Sequence, residues 1–347
     1  MNRYDQVRKQ LARKPRTWLI TGVAGFIGSH LLETLLCLDQ RVFGVDNLAS
    51  GKLTNLEEIE SVVETRQWKR FHFIEGDIRQ PETCLEACRG ADYVLHQAAL
   101  GSVPLSIRQP LLCNSVNVEG FLHVLLGAKQ QGVKRVVYAS TSALYGNSSR
   151  LPKSEEFPGE CLSPYAASKR ADELYADALA RVGMSVVGLR YFNVFGPRQD
   201  PNGPYAAVIP QWTASLLRGK RVKINGDGKT TRDFCYVADV VQANLLAATI
   251  PRLPRPNPVY NVAAGRQISL TELFEALRDR LRTSGRQLKR PHPVYGPFRD
   301  GDVRYSQAAI KKANVELGYE VRYPFEMGIQ ETLNWYGARE NLGDAPT

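Results

Sequence analysis

The chain has 347 residues, with 45 Lys and Arg against 35 Asp and Glu, a net charge of +10, and its 43% hydrophobic and 23% charged content is that of a globular protein. This composition excludes a disordered or collagen-like chain, and the length predicts two domains, or one large domain with an appendage, with core enough to fold without staples. No apolar run approaches the roughly 18–20 residues of a membrane span, and the basic stretch Met1 to Pro15 lacks the apolar core and cleavage site of a secretory signal, so a soluble, cytoplasmic protein with no membrane partner is expected.

Residues 1–15 read as a short basic helix ended by Pro15. Thr17 to Thr21 is a compact apolar strand that runs straight into glycines, and His30 to Leu38 then has helical periodicity. Strands follow at Arg41 to Val45, ending in Asp46, and at Phe71 to Asp77. A helix at Glu82 to Cys88 leads to a strand at Tyr93 to His96, and a helix at Asn117 to Gln130 to one at Arg135 to Ala139. Short apolar strands alternating with helices predict an α/β fold, a Rossmann-like doubly wound parallel sheet covered on both faces. After about residue 190 prolines and glycines thicken and the alternation is lost, which predicts a smaller α/β substrate-binding domain interleaved with late elements of the first. The expected division is 1–190 with about 234–263 for the first domain, 191–233 with 264–340 for the second, and a frayed tail at 341–347.

The 6 cysteines, Cys37, Cys84, Cys88, Cys113, Cys161 and Cys235, read as free thiols, and with 5 scattered histidines no metal site is expected. Basic residues crowd between Arg278 and Arg290, which fits a nucleic-acid patch, a solvated helix face or an anionic small-molecule substrate; the total charge does not choose among them.

Gly22-Val23-Ala24-Gly25-Phe26-Ile27-Gly28 lies between a strand and a helix, the context of a dinucleotide turn. Gly22 allows the tight turn, Gly25 admits a pyrophosphate against the backbone, and Gly28 lets the helix pack on the strand. The helix N-terminus offers free N–H groups to the phosphates. Asp46 stands where a carboxylate accepts from the adenosine ribose hydroxyls and repels a 2′-phosphate, which favours NAD over NADP. Tyr165 and Lys169 are i and i+4 on one helical face, so that the ammonium favours the phenolate and makes a tyrosine base usable. Ser140-Thr141-Ser142 ends an apolar strand, at the carboxyl edge where parallel sheets carry their sites, and a hydroxyl there can bridge substrate and Tyr165.

Together these residues resemble the extended branch of the short-chain dehydrogenase/reductase superfamily, among its nucleotide-sugar epimerases and dehydratases. The likeness runs through Asp46-Asn47, Gly76-Asp77-Ile78, His96 to Ala99, Tyr165 with Lys169, and Arg190 to Pro197. Ala98 to Pro104, Asp200 to Pro210, Asn225 to Gly228 and Thr231 to Tyr236 are similar to the UDP-N-acetylglucosamine 4-epimerases of bacterial polysaccharide pathways. The resemblance implies that Gly22, Gly25, Phe26, Ile27, Gly28, Asp46, Asn47, Asp77, Ile78, Gln97, Ala98, Tyr165, Lys169 and Val194 hold NAD. Asp77 and Ile78 would meet the adenine. It implies Tyr165, Lys169 and Thr141 as catalytic residues. It implies a UDP-sugar site built from Ser102, Ser142, Asn193, Ala207, Val208, Trp212, Asn225, Arg232, Arg299, Asp302 and Ser306, the two arginines clamping the pyrophosphate. That role uses few of the basic residues, so the Arg278–Arg290 run reads as solvated surface and no nucleic-acid partner is expected.

The family's 4,6-dehydratases carry an Asp-Glu pair where this chain has Ser142 and Ala143, and a decarboxylating relative keeps a glutamate at the Ala143 position. Without them the implied outcome is C4 epimerisation through a 4-keto sugar. Ser306 replaces a bulky tyrosine that confines some epimerases to glucose and galactose, which implies UDP-GlcNAc and UDP-GalNAc as substrates, with their uronic acids as further candidates. UDP-glucose or UDP-glucuronate epimerisation, a dehydratase or decarboxylase, and a non-catalytic NAD-binding sensor are the alternatives. A homodimer through Glu119 to Gln130 and Ala171 to Arg181 is implied as well. Lys223 departs from the aromatic common near the uracil.

Overall fold

The computed structural model describes residues 1–202, 206–298 and 303–339; the expected tail at 341–347, Arg299 and Asp302 lie outside the described residues. Seven strands form one sheet: β1 (Thr17–Thr21), β2 (Arg41–Asp46), β3 (Phe71–Glu75), β4 (Tyr93–His96), β5 (Arg135–Thr141), β6 (Val186–Tyr191) and β7 (Val259–Val262). Their order is β7-β6-β5-β4-β1-β2-β3, and every pairing is parallel. The order reverses direction between β1 and β4, so a crevice opens beyond the carboxyl ends of those two strands.

Burial on both faces explains why these strands read as apolar runs. Trp18, Leu19 and Ile20 of β1 are essentially fully buried, and so is every residue of β6, Arg190 included. Helices Arg3–Arg13, Phe26–Cys37 and Val237–Thr249 cover one face through a core that includes Val7, Leu31, Leu35, Val240 and Leu246. Pro81–Ala87, Gly120–Gln130 and Pro164–Arg181 cover the other, around Val94, Phe121, Val124 and Tyr138. Continuous helix from Pro110 to Gln130, including a π-helical turn at Ser115–Glu119, spans 21 residues at a mean hydropathy of 1.3. By length and composition it is apolar enough to cross a membrane, unlike any run expected from the sequence, and half of it is buried inside the protein.

A second core gathers Phe195, Ile209, Trp212, Phe234, Phe274, Leu277, Phe325 and Ile329. It is fed by helices Val208–Leu217, Leu270–Thr283 and Phe325–Arg339, with paired two- and three-residue strands such as Lys223–Asn225 against Val294–Gly296. Helix Leu270–Thr283 buries Leu273, Phe274, Leu277 and Leu281 along one stripe; of its arginines, Arg282 is exposed, while Arg278 and Arg280 are half-buried. All 6 cysteines are unpaired. Among the described residues no cluster of three or more His, Cys, Asp or Glu side chains gathers.

Candidate active site

The glycine turn is built by close approach. Gly22 has φ +71°, and a Cβ there would stand 2.8 Å from the backbone nitrogen of Ala98, at the end of β4. At Gly28 a Cβ would overlap the carbonyl oxygen of Gly22, so glycine is what lets helix Phe26–Cys37 start directly beneath the turn. Gly25 is the N-cap of that helix and supplies no side-chain acceptor, so the first-turn N–H groups are left for a ligand. Across the crevice Asp46 is 8% exposed, its two oxygens accepting from Ala24 N–H and Leu48 N–H at 2.9 Å each. Each oxygen keeps a lone pair for a hydroxyl donor.

Gly22, Gly25 and Asp46 line a cleft of about 390 Å³ together with Asn47, Asp77, Ile78, Gln97, Ala98 and Ser102. Thus the crevice gathers eight of the residues expected to hold the dinucleotide (Gly22, Gly25, Asp46, Asn47, Asp77, Ile78, Gln97 and Ala98), and Ser102, expected at the substrate, lines the same cleft. Its hydroxyl accepts from Leu105 N–H and caps helix Val103–Arg108. Phe26 and Ile27 turn their side chains onto the second core, so only their backbone can face the crevice. Val194 pairs with Cys235 and packs between the two cores, away from the lining.

Asp77 lines the cleft already hydrogen-bonded. Its carboxylate accepts from Arg79 at 2.6 Å and from Asn47 Nδ2 at 2.9 Å, and the Arg79 hydrogen bonds hold it down at about 2. Arg79 itself lines the cleft, a residue the sequence reading passed over. Gln97 is likewise engaged: Tyr191 Oη donates to its Oε1 at 3.1 Å, and its Nε2 donates to Asn244 Oδ1 at 3.2 Å.

Helix Pro164–Arg181 starts at Ser163, whose hydroxyl accepts from Ala166 N–H, with Pro164 in the first turn. Tyr165 is therefore held at a defined helix start, half-buried, its N–H bonded to Ser106 Oγ at 3.1 Å. One turn on, Lys169 is 1% exposed and donates to Asp172 Oδ2 at 3.1 Å. Asn117, in the π-helical turn, accepts from Leu100 N–H at 2.7 Å and donates to Ser168 Oγ at 2.9 Å, tying the loop after β4 to this helix. Thr141 ends β5 and caps the short turn Ser142–Tyr145, accepting from Ala143 N–H at 3.1 Å. Ser140 is committed elsewhere, donating to Glu173 at 2.7 Å. Beneath the crevice His96 is fully buried, 2.8 Å from Thr21 Oγ1, and burial with the Lys169 charge pushes it down to about 3, so it stays neutral.

Apart from Ser102 in the cleft and Ser142 in the turn after β5, the described residues expected around a UDP-sugar belong to the segments after residue 190. Asn193 has φ +23° and donates to the Asp233 carbonyl at 3.0 Å. Ala207 caps helix Val208–Leu217, Asn225 ends its short strand half-buried, and Ser306 is 8% exposed. Arg232 donates to the carbonyls of Thr231 and Val303 at 2.8 and 2.6 Å. Trp212 lies in the second core, its ring 4% exposed and edge-on to Phe274. Lys223 is exposed, its stem crossing Gly296 on the paired strand.

A model of the NAD dependent epimerase/dehydratase family matches residues 18–263. The UDP-N-acetylglucosamine 4-epimerase of Methanobrevibacter ruminantium, solved in complex with UDP-N-acetylmuramic acid, superposes with a TM-score of 0.85 at 35% identity, over 94% of this chain and 99% of its own. A UDP-glucose 4-epimerase of Thermus thermophilus in complex with NAD gives 0.79 at 34% identity, over 92% and 99%. The UDP-glucose 4-epimerase of Mycolicibacterium smegmatis is 34% identical over 92% of this chain and 97% of its own length.

Proposed function

The chain belongs to the NAD dependent epimerase/dehydratase family, and on that premise we propose that it is a UDP-N-acetylhexosamine C4 epimerase interconverting UDP-GlcNAc and UDP-GalNAc. It is an NAD-dependent nucleotide-sugar epimerase by kinship, and the crevice suits the cofactor, since Gly22, Gly25 and the partly open carboxylate of Asp46 line it and no side chain caps the helix that starts there. The glycine turn and the N-terminus of helix Phe26–Cys37 would hold the pyrophosphate, and Asp46 the adenosine ribose. When bound there, NAD would supply a reversible hydride acceptor for the sugar's C4.

Tyr165 takes the C4 hydroxyl proton and gives it back, with the Lys169 ammonium favouring the phenolate and Thr141 bridging to the hydroxyl. The observation that carries epimerisation over dehydration is the turn after β5. Thr141 is followed by Ser142 and Ala143, both half-buried, so no carboxyl group stands there to eliminate water. The keto sugar can then only present its other face and take the hydride back. Small Ser306 supports an N-acetyl substrate, and so does the kinship to an N-acetylglucosamine enzyme. In this reading residues 1–190 with about 234–263 carry the cofactor, and 191–233 with 264–340 close over the UDP-sugar. The chain would pair as a homodimer through Glu119 to Gln130 and Ala171 to Arg181, where Leu126, Leu174 and Tyr175 leave apolar surface exposed.

NMR assays of UDP-glucose, UDP-GlcNAc and UDP-GlcNAcA with the enzyme test the substrate. Appearance of UDP-GalNAc from UDP-GlcNAc is expected. Conversion of UDP-glucose with UDP-GlcNAc left untouched would overturn it.

A further inference from the structure

Helix Pro164–Arg181 buries two adjacent acids, Asp172 at 0% exposure and Glu173 at 4%. Glu173 is fully engaged: Arg190 donates to both its oxygens at 2.8 and 2.7 Å, with Arg170 and Ser140 adding further bonds. Asp172 is not. Its Oδ2 accepts from Lys169 Nζ at 3.1 Å, and its Oδ1 is buried with no partner. A buried carboxylate with one oxygen unsatisfied loses hydration that a single ion pair does not restore, so packing alone gives no reason for an acid at this position. Burial pushes Asp172 up to about 6 against the pull of Lys169, a sign of how poorly the site solvates a negative charge.

We propose that Asp172 is a positioning residue for the reaction, fixing the Lys169 ammonium and setting how much positive field it delivers to Tyr165 and to a nicotinamide ring beside it. The inference rests on the reading of Tyr165 and Lys169 as the reacting pair. The charges around Asp172 are few. Lys169 and Glu173 share its helix; β5 contributes the Tyr138 phenol, pushed well up by burial; β4 contributes neutral His96, and β6 Arg190, which Glu173 engages. Cys113 lies beside Ser168 from helix Pro110–Asn114. Among the described residues Lys169 is the one cation bonded to Asp172, so the carboxylate's charge acts chiefly through it.

The sign follows from Coulomb's law. Lys169 alone favours a phenolate at Tyr165 and disfavours a positively charged nicotinamide, and Asp172 tempers both effects. An isomerase returns its hydride in every cycle, so it gains from a site that does not hold the reduced ring too tightly.

Asp172→Asn, compared with the parent holoenzyme, tests this through two readouts that a purely structural role would leave unmoved. Competition between the oxidised and reduced dinucleotides should shift about fivefold toward the reduced form, and the acid limb of the epimerisation pH profile should move down by about half a unit. Asp172→Glu, which keeps the charge, should restore the parent preference. Asp172→Ser, smaller and uncharged, gives the same readouts if the amide disturbs folding. Glu173→Gln is the structural control, expected to lower the melting temperature while leaving preference and limb in place. A folded Asp172→Asn or Asp172→Ser with unchanged preference and limb overturns the proposal. If Tyr165→Phe turns over normally, the assignment of the base itself has failed, an outcome distinct from failure of the Asp172 role.

Discussion

Ser306 is 8% exposed, and its side chain ends one atom beyond Cβ, so the volume that a phenol ring would occupy is left to neighbouring groups. Steric rejection falls on the larger of two substrates, which makes Ser306→Tyr a test of what that space is for. The variant should lose about a hundredfold in kcat/KM for UDP-GlcNAc while keeping UDP-glucose within a few-fold, measured by NMR on both sugars. An equal loss on both would mean that the position does not read the N-acetyl group. The glycine turn and Asp46 were legible because residue type at that spacing, between a strand and a helix, already carries the meaning, whereas Ser306 took its meaning only from the family resemblance. Asn117 and Asp172 were not legible, because they act through partners distant along the chain, Leu100 and Ser168, for the first, and through Lys169, one helical turn away, for the second. A retrospective signal was available in β6: Arg190 within an apolar strand requires a buried acid, and Glu173 is that acid.

The junction of β1 with helix Phe26–Cys37 shows what an element demands of one residue. A Cβ at Gly28 meets backbone, the Gly22 carbonyl, which cannot swing aside as a side chain could. Gly28→Ala should therefore push the helix off the turn, lowering stability by about 1–3 kcal/mol and spoiling the cradle for the dinucleotide. Thermal unfolding with and without added NAD is the measurement. A parent-like melting temperature together with parent-like stabilisation by NAD would show that the helix start can shift freely. The same glycines hid the start of the helix: periodicity suggested His30 onward, whereas it begins at Phe26. Five of the seven strands of the main sheet were legible as short apolar runs, whereas β6 and β7 were not, since they lie where the regular alternation of strand and helix breaks down. The pairs Val194–Phe195 with Cys235–Tyr236 and Ile268–Ser269 with Thr231–Arg232 are two residues long, too short to leave a period, and their partners lie far along the chain.

The whole molecule is tied together by buried carboxylates that accept from the backbone of distant segments. Asp233 accepts from Ala264 N–H at 2.9 Å and from Ala308 N–H at 3.0 Å, linking chain segments of the second core to the loop after β7. Asp239, in helix Val237–Thr249, accepts from Arg322 N–H at 3.1 Å and Tyr323 N–H at 3.2 Å, fastening the segment before the last helix to the sheet's cover. Such links leave no local pattern, which is why the interleaving of the two cores was legible only as a change of character near residue 190. They do leave a mark on pH dependence. Burial pushes Asp233 up to about 6 and Asp239 up to about 7, from an ordinary value of 3.8. In the window between, the folded state binds the proton that the unfolded chain has released, so these groups contribute most below the ordinary carboxylate range and lose their contribution as pH rises to about 7. His30 and His96, held neutral with values near 3, work the other way, because the unfolded chain takes up their protons as pH falls below 6.5. The two effects offset one another in the parent, so a shallow overall slope says little, and the single-residue difference is the informative quantity. Asp239→Asn removes one titrating group, and an amide offers only one acceptor to the two N–H groups, so the variant should be the less stable protein at about pH 5. Its deficit should shrink steadily between about pH 5 and about pH 7 and then level off, since only the parent loses a contribution across that window. Denaturant unfolding of both proteins at several pH values reads the difference directly. A deficit that stays constant with pH would mean that the Asp239 carboxyl ionises as readily inside the fold as outside it.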